Sequence, residues 1–378
     1  ELKMETLNQD FVHKYSLLGC VQCGKCTGGC PVSLRAHLNV RQMVYKTIIH
    51  RDSEDYEKKR LWDCTTCSTC NIRCPKGVKP ADLIMGMRGA MVEEGRLQPA
   101  LRDALEATLK HGNPWGKIRE KRSEWTGGTD IKNLSRGDKA ELLLSVCCTA
   151  SFDPRVQEVA KALAKILKSA KVDFAILGNE ENCCGSESKR VGEEGLFEIL
   201  VEDNSELFKK HQINQILTIS PHCYNSFKNE YTGIALEVQS HPQLIAKLIE
   251  DKKLTFSTQV EKVVTYHDPC FLGKQNSVYD EPRKILTSIP GVKFVEFDRA
   301  RERSLCCEGG GGRMWTESEA KGERLAEMRV REAVSMNAQV LATSCPFCLL
   351  TLEDATKTTG NEETIRVMDI VELAVCAI

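Results

Sequence analysis

Five thiols arrive from three separated places in the last third of the chain. They are Cys270 in Tyr266-His267-Asp268-Pro269-Cys270, the pair Cys306-Cys307, and Cys345-Pro346-Phe347-Cys348. Thiolates are soft ligands suited to iron–sulfur clusters, zinc or copper(I). Adjacent cysteines do not easily close a disulfide on each other, but they can give two ligands to one polynuclear cluster. Glu308 and the glycines Gly309, Gly310, Gly311 and Gly312 follow the pair. Glycine lets backbone approach closely, and the N–H groups of Gly309–Gly311 can donate to sulfide or to an anion. The plainer reading is a set of inert buried cysteines beside a flexible loop. It leaves the clustering without a reason, because cysteine is conspicuous for reactivity rather than packing. The chemistry indicated is metal binding.

A second set of thiols lies near the start. Cys20-x2-Cys23-x2-Cys26-x3-Cys30-Pro31 is followed by Cys64-x2-Cys67-x2-Cys70-x3-Cys74-Pro75. This doubled run has the bacterial-ferredoxin spacing for two 4Fe–4S cubanes, in which the fourth cysteine of each run ligates the other cluster. Cys20, Cys23, Cys26 and Cys74 are therefore assigned to one cluster, and Cys64, Cys67, Cys70 and Cys30 to the other. Two zinc sites would need only Cys-x-x-Cys pairs, leaving the third cysteine and the Cys-Pro ending unexplained.

The elements around these runs read as helices. Between them Leu34, Leu38, Val40, Met43, Val44 and Ile48 are spaced loosely as on a helix, the charged stretch Arg51–Arg60 follows, and Leu83–Glu94 is again helix-like. A largely helical ferredoxin domain is expected over residues 1–95, carrying electrons one at a time. Residues 96–140 read as a linker. His111–Gly116 and Trp125–Gly128 are turn signals, and Lys117–Arg122 is a charge run of the kind usually solvated.

The remainder is duplicated, with a first copy expected over residues 141–260 and a second over 261–378. Cys147 to Cys183 spans 36 positions, as does Cys270 to Cys306, and the copies are offset by 123 residues at both points. Ser220-Pro221-His222-Cys223 matches Cys345-Pro346-Phe347-Cys348 at an offset of 125. Strands are expected at Glu141–Val146, Asp173–Leu177 and Gln215–Ile219, and again at Lys262–His267, Val292–Phe297 and Ala338–Thr343. Asp153-Pro154 is a helix start, and Val156, Val159, Ala160, Leu163, Ile166 and Leu167 form an apolar stripe behind it. Alternating strands and helices argue for two α/β units with parallel strands and ligands at the carboxyl ends of those strands. The whole is α+β and multidomain.

The copies are chemically unequal. The first keeps Cys147, Cys183-Cys184-Gly185 and Cys223, but has Ser220 at the counterpart of Cys345 and an extra Cys148. A hydroxyl is a poorer iron ligand than a thiolate, so the first site holds an altered cluster or, with four thiolates, zinc. Cys148 is the candidate replacement for the lost ligand, since five thiols remain.

Composition bounds the rest. At 378 residues, with 41% hydrophobic and 28% charged residues, the chain has room for several soluble domains. A net charge of −1 argues against nucleic acid. Nineteen cysteines, mostly at Cys-x-x-Cys spacing, point to metal binding in a reducing cytosol. Cys376, in the apolar tail, reads as core. Glu1–Asp10 has neither the basic end nor the apolar core of a signal peptide, and no apolar run approaches the roughly 18 residues of a membrane span. A cytoplasmic protein is expected, associated with a membrane only through a partner. No G-x-G-x-x-G or P-loop is present, so flavin or nucleotide chemistry would also come from a partner.

These residues resemble a known family. Paired Cys-x-n-Cys-Cys-Gly-x-n-Cys-x-x-Cys (CCG) domains look like the catalytic unit of heterodisulfide reductases, and the double cubane resembles that enzyme's small ferredoxin-like subunit. The two are fused here, as in its membrane-type form. The resemblance includes His267-Asp268-Pro269-Cys270, the glycine run and Asn113-Pro114-Trp115-Gly116. It implies a noncubane 4Fe–4S cluster at Cys270, Cys306, Cys307, Cys345 and Cys348, where a disulfide such as the coenzyme M–coenzyme B heterodisulfide is reduced. It also implies an anaerobic, methanogenic setting and a partner that is a flavin-containing reductase subunit or a membrane cytochrome b. Iron–sulfur subunits of glycolate, lactate and glycerol-3-phosphate dehydrogenases and of sulfur-metabolism complexes share the domain pair. They imply the alternative of pure electron transfer.

Two departures bear on that implication, Ser220 in the first motif and Glu308 after the second cysteine pair. Glu308 reads as a proton donor or as a solvent-facing carboxylate. His267 and His222 are the other candidates for proton transfer, with His267 alternatively orienting a ligand or filling core. Lys274, Arg303 and Arg313 flank the second site as candidate anion holders or as plain surface charge.

Overall fold

Short apolar strands alternating with amphipathic helices build two parallel sheets. The computed structural model describes residues 11–36, 38–49, 60–316, 318 and 320–378; the expected stretches Glu1–Asp10 and Arg51–Lys59 lie outside them. The first sheet contains β1 (Lys132–Asn133), β2 (Leu142–Ser145), β3 (Phe174–Ile176), β4 (Gln215–Thr218) and β5 (Glu237–Ser240), ordered β1-β3-β2-β4-β5. The second contains β6 (Lys262–Tyr266), β7 (Val292–Phe294), β8 (Val340–Thr343) and β9 (Arg366–Asp369), ordered β7-β6-β8-β9. Pairings in both sheets are parallel, with Leu144 beside Leu217 in one and Thr265 beside Leu341 in the other.

All six strands expected from sequence are present within a few residues of their expected bounds. β1, β5 and β9 are additional. β1 has two residues, and β5 and β9 are edge strands with the polar ends Glu237 and Arg366, so none offers an apolar run to read.

The helix Pro154–Ser169 shows why the sequence folds this way locally. Asp153 accepts from the N–H groups of Arg155 and Val156, Pro154 opens the first turn, and the expected stripe is fully buried. Such a cap is worth about 1 kcal/mol. Each buried Leu, Ile or Val adds about 1.5–3 kcal/mol. One apolar core runs through both repeats, from Leu143 and Ile216 to Val264 and Leu341. Arg155 ties them together at the surface, donating to Glu353, Glu372 and the Val367 carbonyl.

The N-terminal region is helical, with Lys25–Gly28, Val40–Ile48, Thr69–Ile72 and Pro80–Glu93. Asn39 caps the second of these by accepting from the Gln42 N–H. The fold is therefore α+β, a helical dicluster domain followed by two α/β repeats. Residues 96–140 hold the helix Pro99–His111 and contribute β1 to the edge of the first sheet. The charge run within that segment is not all solvated, because Arg122 is buried against Glu181 and Cys148. Cys376, expected in the core, is exposed at the end of the helix Ile370–Val375.

Arg88 joins the three parts. It is fully buried under Trp62 and donates to the carbonyls of Leu61 and Cys64, to that of Arg190 in the first repeat, and to that of Gly311 in the second.

Candidate metal centre

Both repeats present their thiols where the fold predicts, just past the carboxyl ends of central strands. Cys147 follows β2 and Cys270 follows β6, while Cys223 and Cys348 lie in the first turn of the helices Pro221–Asn229 and Pro346–Thr358 after β4 and β8. A helix N-terminus favours negative charge, which suits thiolates placed there.

In the second repeat the sulfurs form a continuous series. Cys270 lies against Cys306, Cys307 against both Cys306 and Cys348, and Cys348 against Cys345. All five are buried. Backbone N–H groups of Glu308 and Gly309 point at the Cys306 and Cys307 sulfurs at 3.3 and 3.4 Å. His267 also reaches this series, and its ligand atom lies within 4.8 Å of those of Cys307 and Cys348. Its Nδ1 is buried without a hydrogen-bond partner. Burial, reinforced by Arg329, pushes its pKa down to about 3, so the ring is neutral at physiological pH.

The wall facing the first repeat is built by His222. Its ring stacks on Phe271 at 4.0 Å, and its Nδ1 lies 3.1 Å from Glu187, whose other oxygen accepts from the Gly312 N–H at 2.7 Å. Burial alone would lower the pKa of His222. The Cys345 sulfur and the Glu187 carboxylate against it outweigh burial and raise it to about 10. Reciprocally, burial pulls the Cys345 thiol up, but Cys348 and His222 hold it below the usual thiol value.

The N-terminal thiols divide into two groups. Cys20, Cys23, Cys26 and Cys74 line one cleft of about 370 Å³, with Cys23 exposed. Cys30, Cys64, Cys67 and Cys70 are buried close to one another. Burial pushes the Cys30, Cys64, Cys70 and Cys348 thiols up. Such a set gives up its protons on binding metal. The number, softness and proximity of these sulfurs fit iron–sulfur clusters.

The two regions touch through their ligands. The Cys67 sulfur lies against that of Cys306, and the Thr65 hydroxyl is 3.3 Å from the Cys306 sulfur. Lys274 is buried, not surface charge, with its Nζ donating to Thr69 at 2.9 Å and to the Ser304 carbonyl at 2.6 Å. Arg303 is exposed near Asp298. Arg313 is half-buried, and burial lowers its pKa. The glycine run is where the second repeat meets the ferredoxin loop. A Cβ on Gly310 would lie 3.0 Å from the Thr65 carbonyl oxygen, and one on Gly311 2.8 Å from that of Cys64. Glu308 is neither solvent-facing nor free. It pairs with Arg35 of the ferredoxin domain at 3.0 Å and accepts from the Leu325 N–H at 2.8 Å.

The first repeat has its own series of thiols, in which Cys148 lies against Cys183, Cys184 against both Cys183 and Cys223, and Cys223 against Cys147. A cleft of about 590 Å³ opens over all five and extends to Trp315, Phe347 and His222. Ser220 lines the same cleft, and its hydroxyl accepts from the His222 N–H as the helix cap. Sequence reading missed Arg35, Arg88, Arg122, Glu181 and Glu187. Each is a charged side chain made structural by a partner far along the chain, and no local spacing marks it.

Comparison with known proteins agrees with this architecture. Residues 16–78 match the 4Fe-4S dicluster domain, and residues 143–228 and 264–353 each match the cysteine-rich domain. The chain is 34% identical to a probable iron–sulfur-binding oxidoreductase, FadF, of Bacillus subtilis, over 94% of this chain and 59% of that protein. It is 31% identical to the EtfAB:quinone oxidoreductase of Syntrophomonas wolfei, over 97% of this chain and 59% of that protein. It is 30% identical to a subunit of the dihydromethanophenazine:CoB–CoM heterodisulfide reductase of Methanosarcina mazei, over 98% of this chain and 96% of that protein. The chain thus spans 59% of the length of the first two relatives and nearly all of the third. Among the described residues no helix is long and apolar enough to cross a membrane. With its dicluster domain, its paired cysteine-rich domains and this full-length match, the chain belongs to the heterodisulfide reductase family of iron–sulfur oxidoreductase subunits.

Proposed function

We propose that the protein passes single electrons from a partner through its two cubanes to the second repeat, where a disulfide is reduced to two thiols. The partner is a flavin-containing subunit or a membrane cytochrome b. The observation that carries the reading is the contact between Cys67 of the buried cubane group and Cys306 of the second repeat. It brings the two ligand sets together and so keeps the path for an electron short. A noncubane cluster held by Cys270, Cys306, Cys307, Cys345 and Cys348 would supply one-electron steps and a soft metal surface with affinity for sulfur.

The chain's own residues do the rest. Thr65, Thr69 and Lys274 hold the ferredoxin loop on the second repeat. Gly310 and Gly311 let that loop approach. His222, fixed by Glu187 and Phe271, backs Cys345 from the side of the first repeat. Phe347 and Trp315 pack in turn beside the His222 ring. The reaction breaks one S–S bond, with two electrons delivered by the partner and two protons from solvent.

A relay without disulfide chemistry is the second reading, and one observation favours it. The five thiols of the second repeat are all buried, whereas the cleft of about 590 Å³ opens over those of the first. That cleft therefore does not reach the sulfurs assigned to disulfide chemistry. Cys345→Ser separates the two readings. The variant is expected to keep its cubane signals and accept electrons from the partner while losing disulfide reduction. Full disulfide-reducing activity in Cys345→Ser would refute the assignment to the second repeat.

A further inference from the structure

The geometry points to a cluster in the first repeat held by a rearranged ligand set, in which the adjacent thiols Cys147 and Cys148 take the places of Cys345 and Cys270. This goes beyond the proposed function and does not depend on what is reduced at the second site. Counting along the chain pairs Cys183 with Cys306, Cys184 with Cys307 and Cys223 with Cys348. The order of contacts then assigns the other two. In the second repeat, Cys270 lies on Cys306, and Cys345 lies on Cys348. In the first, the thiol on Cys183 is Cys148, and the thiol on Cys223 is Cys147. Ser220 is thus not a weakened ligand but a position released from ligation, free to serve as a helix cap.

Three further features belong to this rearrangement. Cys147 has φ 66° and ψ 161°, a backbone conformation suited to glycine that turns one of two neighbouring side chains toward each end of the thiol series. Glu181 holds the strained turn. It accepts from the N–H of Cys147 at 3.0 Å and of Val146 at 3.3 Å, and it pairs with Arg122 at 3.0 Å. Arg122 in turn places two guanidinium nitrogens 3.6 Å from the Cys148 sulfur, all of them buried. A buried cation aimed at a thiol is a costly arrangement for a core cysteine and a favourable one for a thiolate ligand.

The number of thiols favours a polynuclear centre over zinc. Structural zinc takes four ligands in a closed site. Here five thiols line one cleft, one more than a closed tetrahedral site uses.

The test is metal analysis of the anaerobically prepared, fully reconstituted chain. At four irons per cluster, clusters in both repeats give about 16 irons per chain and no zinc, against about 12 if the first repeat holds no cluster. Cys147→Ser and Cys148→Ser should each fall to about 12 while the electron paramagnetic resonance signals of the cubanes persist, and Ser220→Ala should stay at about 16. Zinc with about 12 irons in the unmodified chain, or an unchanged count in Cys148→Ser, overturns the proposal. Should either serine variant fail to fold, the unmodified count together with Ser220→Ala still decides.

Discussion

Replacing Arg88 with methionine should loosen the joint between the ferredoxin domain and both repeats. The guanidinium makes five donor contacts to four carbonyls. They are 3.2 and 2.7 Å to Leu61, 2.6 Å to Cys64, 2.8 Å to Arg190 and 3.2 Å to Gly311. Each buried acceptor stripped of its partner costs about 1–3 kcal/mol, so four cost about 4–12 kcal/mol. Against this, the burial penalty of the guanidinium itself, several kcal/mol, is returned, and methionine recovers some packing under Trp62. The expected net loss is about 3–5 kcal/mol. A lysine in the same place keeps the charge but cannot fan out to four acceptors, so it should fall between the two. Because the protein is multidomain and metal-bound, coincidence of transitions is the informative quantity rather than an extrapolated free energy. In an anaerobic urea titration, cluster absorbance and far-UV ellipticity should change together in the unmodified protein. In Arg88→Met they should separate, with absorbance lost at lower urea. Coincident transitions at an unchanged midpoint would refute the claim that Arg88 holds the three parts together.

Two further outcomes follow from the same joint. Gly311→Ala combines a positive φ of 68° with a Cβ 2.8 Å from the Cys64 carbonyl, so it should push the ferredoxin loop off the second repeat. Stopped-flow reduction should then show the cubanes reduced normally and the second site reduced at least tenfold more slowly. Lys274→Met removes a buried ammonium bonded to Thr69, whose hydroxyl is 3.3 Å from the Cys67 sulfur. The potential of the buried cubane should drop by on the order of 100 mV in a redox titration, and an unchanged potential would show that the charge is screened there.

Much of this molecule was legible because its chemistry is written in spacing. The ferredoxin runs, the repeat offset and six central strands depend on local pattern, and helices such as Pro154–Ser169 carry both a cap and a stripe. What escaped depends on pairs that only folding brings together. Arg122 stands in a charge run that looks solvated, yet Glu181, far along the chain, makes it the buried partner of Cys148. Glu308 looks like an acid beside a metal site, yet Arg35 and the Leu325 N–H claim both its oxygens. Lys274 looks like surface charge until Thr69 is placed against it. The glycine run was legible as a place of close approach, but only the fold shows that what approaches is the backbone of Cys64 and Thr65.

Burial along the proposed route gives it a direction of depth. Cys23 is exposed, Cys20, Cys26 and Cys74 are half-buried, and the remaining cluster-type thiols are buried. The exposed apolar side chains Leu18 and Val21 flank Cys20, so the first cubane group is the one a partner can reach. The buried group comes next, then Cys306 across its contact with Cys67, then Cys345 against His222. A donor needs only brief contact at one end, whereas the chemistry at the other must exclude water and competing thiols. The joint built from Arg88, Lys274 and the glycine run lets one chain meet both demands, because it holds the ferredoxin domain on the second repeat while Cys67 and Cys306 stay buried.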